Sequence, residues 1–308
     1  MDHEPTRRGA LQCLGLGAGT LFALSGGVPS GFDLAQAAEP GAAAKIGTPL
    51  FVQISDSHIG FSKEANPDVV GTLNRTIDLV NGLPRRPAFA VHTGDITHLS
   101  KAAQFDQASQ LLSRLRVAEL HLVPGEHDVT DGAGTEYFAR FGAASNGKGY
   151  YSFDHAGVHM VALVNVMQFK PGGLASLGDE QMAWLKDDLS GRSASQPVVL
   201  FAHMPMWSIY EPWGWGSSDS EQVLALVNRF GSVTVLNGHI HQIVSKVEGN
   251  VTFHTARSTA YPQPAAGVGP GPLPLAVPAD RLPGMLGVTT ISRAPLHRSL
   301  RLADTTLA

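Results

Sequence analysis

The sequence predicts an α/β protein in which short buried strands alternate with amphipathic helices. From Pro49 onward, continuous apolar runs alternate with stretches whose apolar residues recur at helical spacing. Of the 308 residues, 43% are apolar and 16% are charged, which suffices for one large core. We therefore expect one domain of roughly 250 to 270 residues after an N-terminal segment.

The first half of this domain contains three predicted strands and two predicted helices. Residues 50–54, 88–92 and 120–123 are apolar runs typical of buried strands. Residues 68–82 have the apolar spacing of a helix, and a second helix is predicted to begin near Ser100. One face of that second helix is predicted to carry Phe105, Ala108, Leu112 and Leu115.

The second half contains further strands and helices and ends in a segment rich in proline. In chain order we predict a hairpin over 150–153 and 158–164, a helix after a capping box of Ser176 and Asp179, a strand over 198–201, a helix over 221–230, a strand over 233–236, a hairpin over 243–247 and 251–254, and a last strand over 286–291. Seven prolines between Pro262 and Pro283 exclude regular structure there. This Pro/Gly-rich segment, about 262–284, could be a lid, a wrap or a disordered stretch.

Residues 1–38 have the features of a twin-arginine export signal. The arginines at 7–8 precede an uncharged stretch over 11–28, and residues 35–37 (Ala-Gln-Ala) offer a cleavage site. A membrane anchor is the alternative, but glycines interrupt the apolar stretch. We expect a mature domain over 39–308 without a membrane span, delivered by the twin-arginine export machinery to the periplasm or the medium.

Charge and cysteine content exclude several kinds of partner and ligand. The net charge is −4 and lysines and arginines form no run, so neither nucleic acid nor an anionic membrane is expected to bind. Cys13 is the only cysteine and lies in the export signal, so the mature chain has no disulfide and no thiolate ligand. Any metal would be held by histidines and carboxylates, and a small substrate fits better than a polyanion.

Histidines and acidic residues follow directly on five of the predicted strands. They are Asp56 and His58, Asp95, the run Glu126-His127-Asp128, His203, and the pair His239 and His241. In open α/β sheets, ligands bind at the carboxyl ends of the strands, so these five loops are expected to converge on one site. Glycines that precede several of these residues permit a close approach of the backbone to a ligand.

These motifs, in this order, resemble those of the calcineurin-like metallophosphoesterase superfamily: D-x-H, G-D, G-N-H-D/E, a single histidine and G-H-x-H. The resemblance covers roughly residues 49 to 255. It implies a four-layer αββα sandwich of two mixed β-sheets flanked by helices, with two metal ions. On this pattern Asp56, His58 and His241 would hold the first metal, Asp95 would bridge, and Glu126, His203 and His239 would hold the second.

The chemistry of such a site favours hydrolysis of a small phosphate ester. Two cations about 3.5 to 4 Å apart can polarise phosphoryl oxygens, activate a bound water and stabilise the leaving oxygen. Imidazole and carboxylate ligands suit transition metals such as Fe, Mn, Zn or Ni better than Ca or Mg. We expect attack by metal-bound hydroxide on a phosphodiester or phosphomonoester. His127 would assist the leaving group, and Asp128 would fix the tautomer of His127.

Glu126 is the one departure from the family pattern, which has asparagine at this position. A carboxylate adds a negative charge to the second metal site and should favour a harder or more highly charged ion, such as Fe(III). The alternative is that Glu126 turns aside and leaves the second site weak or empty.

Three further residues could contact substrate. His98 follows the second motif, Trp207 lies in an aromatic loop over 204–215, and Arg257 follows the last motif. The alternatives are a ligand-orienting role for His98, packing of the loop for Trp207 and a surface ion pair for Arg257. His92, at a strand end, is interpreted as a buried or ligand-orienting histidine.

A second class of function stays open at this point, namely a metal-binding or partner-binding protein that keeps the pocket but has little turnover. The feature that would indicate such a protein is Glu126, where the chain departs from the family pattern. The pair of His127 and Asp128 argues against it, because a binding site has no need of a poised acid. The first prediction is therefore an exported, metal-dependent phosphoric ester hydrolase.

Overall fold

The computed structural model describes residues 20–25, 28–33, 49–145, 147–293 and 300–308. The chain divides into two compact units, residues 1–46 and 47–308. In the first unit, β1 (Thr20–Ser25) and β2 (Val28–Asp33) form an antiparallel hairpin. The predicted arginine pair and cleavage site of the export signal lie outside the described residues.

Two mixed β-sheets form the centre of the second unit. The five-stranded sheet has the spatial order β13 (Leu300–Thr306), β12 (Gly287–Arg293), β3 (Pro49–Ile54), β4 (Phe89–His92) and β5 (Glu119–Leu122). The six-stranded sheet has the order β10 (Ser245–Glu248), β11 (Val251–Thr255), β9 (Val233–Asn237), β8 (Val198–Phe201), β7 (Val158–Ala162) and β6 (Tyr151–His155). Strands β3 to β5 are parallel, as are β7, β8, β9 and β11, and the remaining neighbours pair antiparallel.

Six α-helices lie in the described part of this unit. They are α1 (Val69–Asn81), α2 (Ala102–Leu112), α3 (Thr135–Phe141), α4 (Asp179–Ser190), α5 (Ser220–Val227) and α6 (Leu282–Met285). The side chain of Asp68 accepts a hydrogen bond from the Gly71 backbone N–H (2.8 Å) and so caps α1. Among the described residues, no helix combines the length and apolarity that a membrane span requires.

Three apolar clusters fill the spaces between four layers. Val52 and Ile54 of β3 pack with α1 and α2, whereas Phe51 packs with residues of the six-stranded sheet. On β8, Leu200 packs with α4 and α5, whereas Phe201 faces the other sheet. This alternation follows from the two-residue period of a strand, because both faces of each sheet are covered. The predicted αββα sandwich is confirmed.

Three details of the predicted secondary structure are wrong. Helix α6 begins at Leu282 and includes Pro283, inside the segment that was expected to lack regular structure, because proline is tolerated in the first turn of a helix. Ser176 does not cap α4, because the N-cap residue is Gly178 and the Ser176 hydroxyl donates instead to Gln168 Oε1 (3.2 Å). Strand β13 was not predicted. It is an edge strand in which polar residues alternate with Leu300 and Leu302, and these two leucines pack on the cluster between the sheets.

Candidate metal centre

The predicted ligands lie at the carboxyl ends of strands from both sheets. Asp56 and His58 follow β3, Asp95 follows β4, and Glu126 begins a short 3₁₀ turn after β5. The remaining three, His203, His239 and His241, follow β8 and β9. Their side-chain nitrogen and oxygen atoms form groups in which all ligating atoms lie within 4.8 Å of one another. The strand-end prediction therefore holds for the geometry of all seven.

One group consists of Asp56, His58 and His241. The Nε2 atoms of the two histidines are 3.2 Å apart, and His241 Nε2 lies 3.4 Å from Asp56 Oδ1. All three residues are buried. One carboxylate oxygen and two imidazole nitrogens thus face one another within ligand distance of a common point, so this group could hold a metal ion.

The second group consists of Glu126, His203 and His239. Glu126 Oε2 lies 2.7 Å from His203 Nε2, and Glu126 Oε1 lies 3.0 Å from His239 Nδ1. The carboxylate therefore faces the group and does not turn aside. Asp95 Oδ2 lies 3.4 Å from His58 Nε2 and 3.5 Å from His203 Nε2, which places one oxygen between the two groups.

The hydrogen bonds that these residues lack and those that they make both fit metal ligation. Buried atoms of Asp56, Glu126, His203 and His239 make no aligned hydrogen bond, although they lie close together. In two of the candidate ligands the Nδ1 nitrogen is occupied: His203 Nδ1 donates to Thr93 O (2.7 Å), and His241 Nδ1 donates to Tyr261 O (2.6 Å). Such carbonyl contacts fix the tautomer and leave Nε2 free to bind a cation.

Electrostatics point the same way. Burial alone would raise the pKa of Glu126, but His239 and His203 hold it well below its usual range. Burial alone would lower the pKa of His203, but Asp95 and Glu126 raise it well above its usual value. The lowered pKa of Glu126 favours its ionised form, and this negative charge attracts positive charge, which a proton on His203 or a metal ion can supply.

The backbone of the centre is strained. Among the described residues, seven non-glycine residues have a positive φ, and five of them are predicted ligands: Asp56, His58, Asp95, His239 and His241. Left-handed conformations cost non-glycine residues free energy and persist where the surroundings impose them. These five residues lie in only three loops. Strain concentrated in this way indicates that the loops position functional side chains.

At two motif glycines, neighbouring atoms lie so close to the backbone that a larger residue would not fit. A Cβ on Gly125 would overlap the carboxylate and the backbone nitrogen of Asp95, and one on Gly238 would overlap the side chains of Ser55 and Asp56. The φ of Gly125 is −99°, a value that any residue adopts, so the requirement there is purely one of space.

His127 lies beside the centre, but Asp128 does not orient it. His127 Nδ1 donates to the backbone oxygen of His98 (2.8 Å), and the rings of His127 and His98 stack with centroids 4.9 Å apart. Asp128 instead accepts hydrogen bonds from the backbone nitrogens of Ile96, Thr97 and Gly125 at 2.8 to 3.0 Å. The prediction for Asp128 is thus wrong: its carboxylate ties the second and third motif loops together.

A cavity of about 650 Å³ opens above the centre. The candidate ligands His58, Asp95, Glu126 and His239 line it together with His98 and His127. The other lining residues are Phe61, Lys63, Val129, Thr130, Gly132, Val166, Met167, Phe169, Pro171, Gly172, Trp213, Tyr261, Gln263, Pro272, Leu273 and Pro274.

Of the three predicted substrate contacts, only His98 reaches this cavity. Its Nδ1 lies 3.3 Å from His58 Nδ1, so it also supports a candidate ligand. Trp207 packs against Phe253 in the core with ring centroids 4.8 Å apart, as its packing alternative states. Arg257 donates to the Met285 carbonyl (3.4 Å) and lies away from the cavity.

Trp213 and Lys63 line the cavity, and neither was singled out from the sequence. Trp213 lies in the same aromatic loop as Trp207, and nothing in the loop's sequence distinguishes the half-buried ring that lines the cavity from the ring packed in the core. Lys63 follows His58 of the first motif by five residues, but it belongs to none of the motifs. His92 is fully buried and bonds Ser57 Oγ through Nε2 (2.8 Å), as its interpretation states.

Comparison with known proteins agrees with this geometry. The profile of the family described as calcineurin-like phosphoesterase matches residues 49–243, which include all seven candidate ligands. The chain belongs to the calcineurin-like phosphoesterase family.

Several relatives of this calcineurin-like phosphoesterase are named as enzymes that hydrolyse phosphoric esters. A glycerophosphodiester phosphodiesterase of Enterobacter lignolyticus is 29% identical over 236 residues, which are 70% of this chain and 79% of the relative. A serine/threonine-protein phosphatase of Danio rerio is 24% identical over 217 residues, 62% of this chain and 70% of the relative. This calcineurin-like phosphoesterase is accordingly a hydrolase of phosphoric esters.

The fold of this phosphoesterase also matches a solved structure. A dimetal phosphatase from Danio rerio superimposes with a TM-score of 0.65 at 14% identity, covering 84% of this chain and 97% of the other. At this identity the likeness concerns the fold alone.

The close packing at Gly125 gives a testable prediction for this calcineurin-like centre. In Gly125→Ala, the added methyl group displaces the Asp95 carboxylate, so we expect metal affinity to fall by about 10- to 100-fold, the range for disturbed ligand support. Metal titration followed by calorimetry measures this. Gly191→Ala is the matched control, because a Cβ there meets no atom within 4 Å. Equal affinities in the two variants would contradict the packing argument.

Proposed function

We propose that this chain is a two-metal phosphodiesterase. Asp56, His58 and His241 would hold one metal ion, and the second group would hold the other with Glu126 as a ligand. The observation that carries the proposal is the position of Asp95, whose Oδ2 lies 3.4 and 3.5 Å from a histidine of each group. One oxygen within reach of two ligand groups supports a shared, bridging carboxylate.

The bound metals would be transition-metal ions such as Fe, Mn or Zn, and they would supply Lewis acidity and an activated water. The chain would supply the geometry. Carbonyls of Thr93 and Tyr261 hold the ligand imidazoles in one tautomer, and the strained loops hold the carboxylates in place before substrate binds. Preorganised groups of this kind need little reorganisation during the reaction.

His127 would protonate the leaving oxygen. Its Nδ1–H is held by the His98 carbonyl, so Nε2 is the nitrogen left for substrate, and the ring lines the cavity. When the bond from phosphorus to the leaving oxygen breaks, that oxygen takes the proton from Nε2. Water supplies the hydroxyl that forms the new bond to phosphorus, and the proton that this water loses replaces the one that Nε2 gives up. A positioned acid of this kind contributes about 10²- to 10⁴-fold.

Two observations favour a diester over a monoester. Lys63 is the only lysine or arginine among the described residues that line the cavity, and a monoester carries more negative charge for the site to neutralise. The cavity of about 650 Å³ also leaves room for an organic group on each side of the phosphorus. The relative from Enterobacter lignolyticus, named for a diester, agrees with this preference.

The role of His127 predicts a dependence on the leaving group. In His127→Gln, kcat/KM should fall about 10²- to 10⁴-fold for a dialkyl phosphodiester such as ethyl methyl phosphate, because its alkoxide leaving group needs a proton. For methyl 4-nitrophenyl phosphate the loss should be under about tenfold, because nitrophenolate leaves without protonation. Steady-state kinetics on both esters measure this, with His155→Gln as the control. An equal loss for both esters would rule out a proton donor at this position.

We further propose that the chain is exported in the folded state through the twin-arginine machinery. The adjacent arginines at 7–8, the uncharged stretch after them and the Ala-Gln-Ala sequence support this. Changing both arginines to lysine keeps the charge but removes the motif, so the protein should accumulate inside the cell. Fractionation of producing cells measures its distribution. Unchanged export of the double variant would overturn this proposal and leave the enzymatic one intact.

A further inference from the structure

Part of the cavity lining is apolar, and one of its residues lies directly beside the candidate metal centre. The Phe169 ring stands edge-on to the ring of the candidate ligand His239, with centroids 6.3 Å apart. Met167, Trp213 and Leu273 also line this cavity. We call Met167, Phe169, Trp213 and Leu273 the apolar wall.

The apolar wall comes from three segments that carry no candidate ligand. Met167 and Phe169 lie between β7 and α4, Trp213 lies in the aromatic loop, and Leu273 lies in the Pro/Gly-rich segment. This last segment lines the cavity with Pro272, Leu273 and Pro274.

The three segments hold one another in place. The Ala175 backbone N–H donates to Gly216 O (3.0 Å), which joins the first segment to the aromatic loop. A Cβ on Gly267 would stand 3.3 Å from Tyr210 Oη, so the Pro/Gly-rich segment packs on that loop as well. One backbone hydrogen bond and one close packing contact thus connect the three segments.

Two members of the apolar wall are large side chains left open to solvent. Leu273 is 58% exposed and Met167 is 36% exposed. Grouped exposed apolar side chains beside a reactive centre are typical of a ligand-binding surface, because water covers them at a free-energy cost that an apolar ligand removes.

We propose that the apolar wall binds an apolar organic group of the substrate, aryl or alkyl, while the phosphoryl group lies at the metal centre. This inference rests on the proposed function, which sets the place of the phosphorus. Apart from the indole N–H of Trp213, the wall offers no strong hydrogen-bonding side chain. A glycerol group would leave hydroxyls without partners there, whereas a phenyl or alkyl group would bury its surface.

Binding of phosphonates to the metal-loaded protein tests this without turnover, because the P–C bond is not hydrolysed. Calorimetry would compare methyl-, phenyl- and hexylphosphonate. We expect the better of the two larger ligands to bind about tenfold more tightly than methylphosphonate. A larger gain for phenyl identifies an aryl substrate group, and a larger gain for hexyl identifies an alkyl group. Either order supports the apolar wall.

Two matched pairs of variants locate the effect. Leu273→Ser removes an exposed wall residue and should reduce the tenfold preference to about threefold or less. Val268→Ser is its control, because Val268 lies in the same segment, is 59% exposed and does not line the cavity. Trp213→Ala should reduce the preference as well, whereas Trp184→Ala, which alters a ring packed on Tyr150, should keep it.

The outcomes separate this inference from the proposed function. Equal affinities for the three phosphonates, or equal preferences in Leu273→Ser and Val268→Ser, would overturn the apolar wall even if simple diesters are hydrolysed. An intact tenfold preference with no hydrolysis of any diester would overturn the proposed function and leave the binding preference standing. Failure of all three phosphonates to bind would contradict both.

Discussion

The close approach of three carboxylates and four imidazoles in a buried space is the constraint on which the rest of this structure depends. Ionised groups that leave water are costly unless opposite charge compensates them, and here several of the buried atoms make no aligned hydrogen bond. Two cations would satisfy these atoms at once. The left-handed backbone at Asp56, His58 and Asp95, and the space kept free by Gly125, are consequences of bringing so many ligand atoms together. The sandwich provides rigid strand ends from both sheets to hold that arrangement.

Much of this could be predicted from the sequence because two strong patterns coincide. Apolar runs mark the strands, and the polar residues directly after them mark the edge at which loops of an α/β fold meet. Strand 198–201 was predicted with the bounds that the structure has, and the other strand ends that carry ligands lie within one residue of their predicted positions. Strand β13 was missed, since an edge strand half covered by the core has a weak apolar pattern.

Contacts between loops could not be predicted from residue type and spacing. Asp128 follows His127 in sequence, yet a 3₁₀ turn points its carboxylate to the backbone of the second motif. The role expected of Asp128 is filled by the carbonyl of His98, and a backbone atom leaves no trace in the sequence. Trp207 and Trp213 are equivalent as aromatic residues of one loop, and only tertiary packing decides which enters the core. Glu126 is the opposite case, because its chemistry suggested a ligand and its carboxylate does face His203 and His239.

The central claim is a two-metal centre in which Glu126 is a ligand of the second ion. Elemental analysis of protein purified after native export, together with the same protein carrying Glu126→Ala, tests it most directly. The account predicts two transition-metal ions per chain in the unaltered protein and about one in the variant, because the second group loses its only unshared carboxylate. Glu180→Ala, which alters an exposed carboxylate paired with Lys148, should retain two. A single ion in the unaltered protein, or two ions in Glu126→Ala, would contradict the claim.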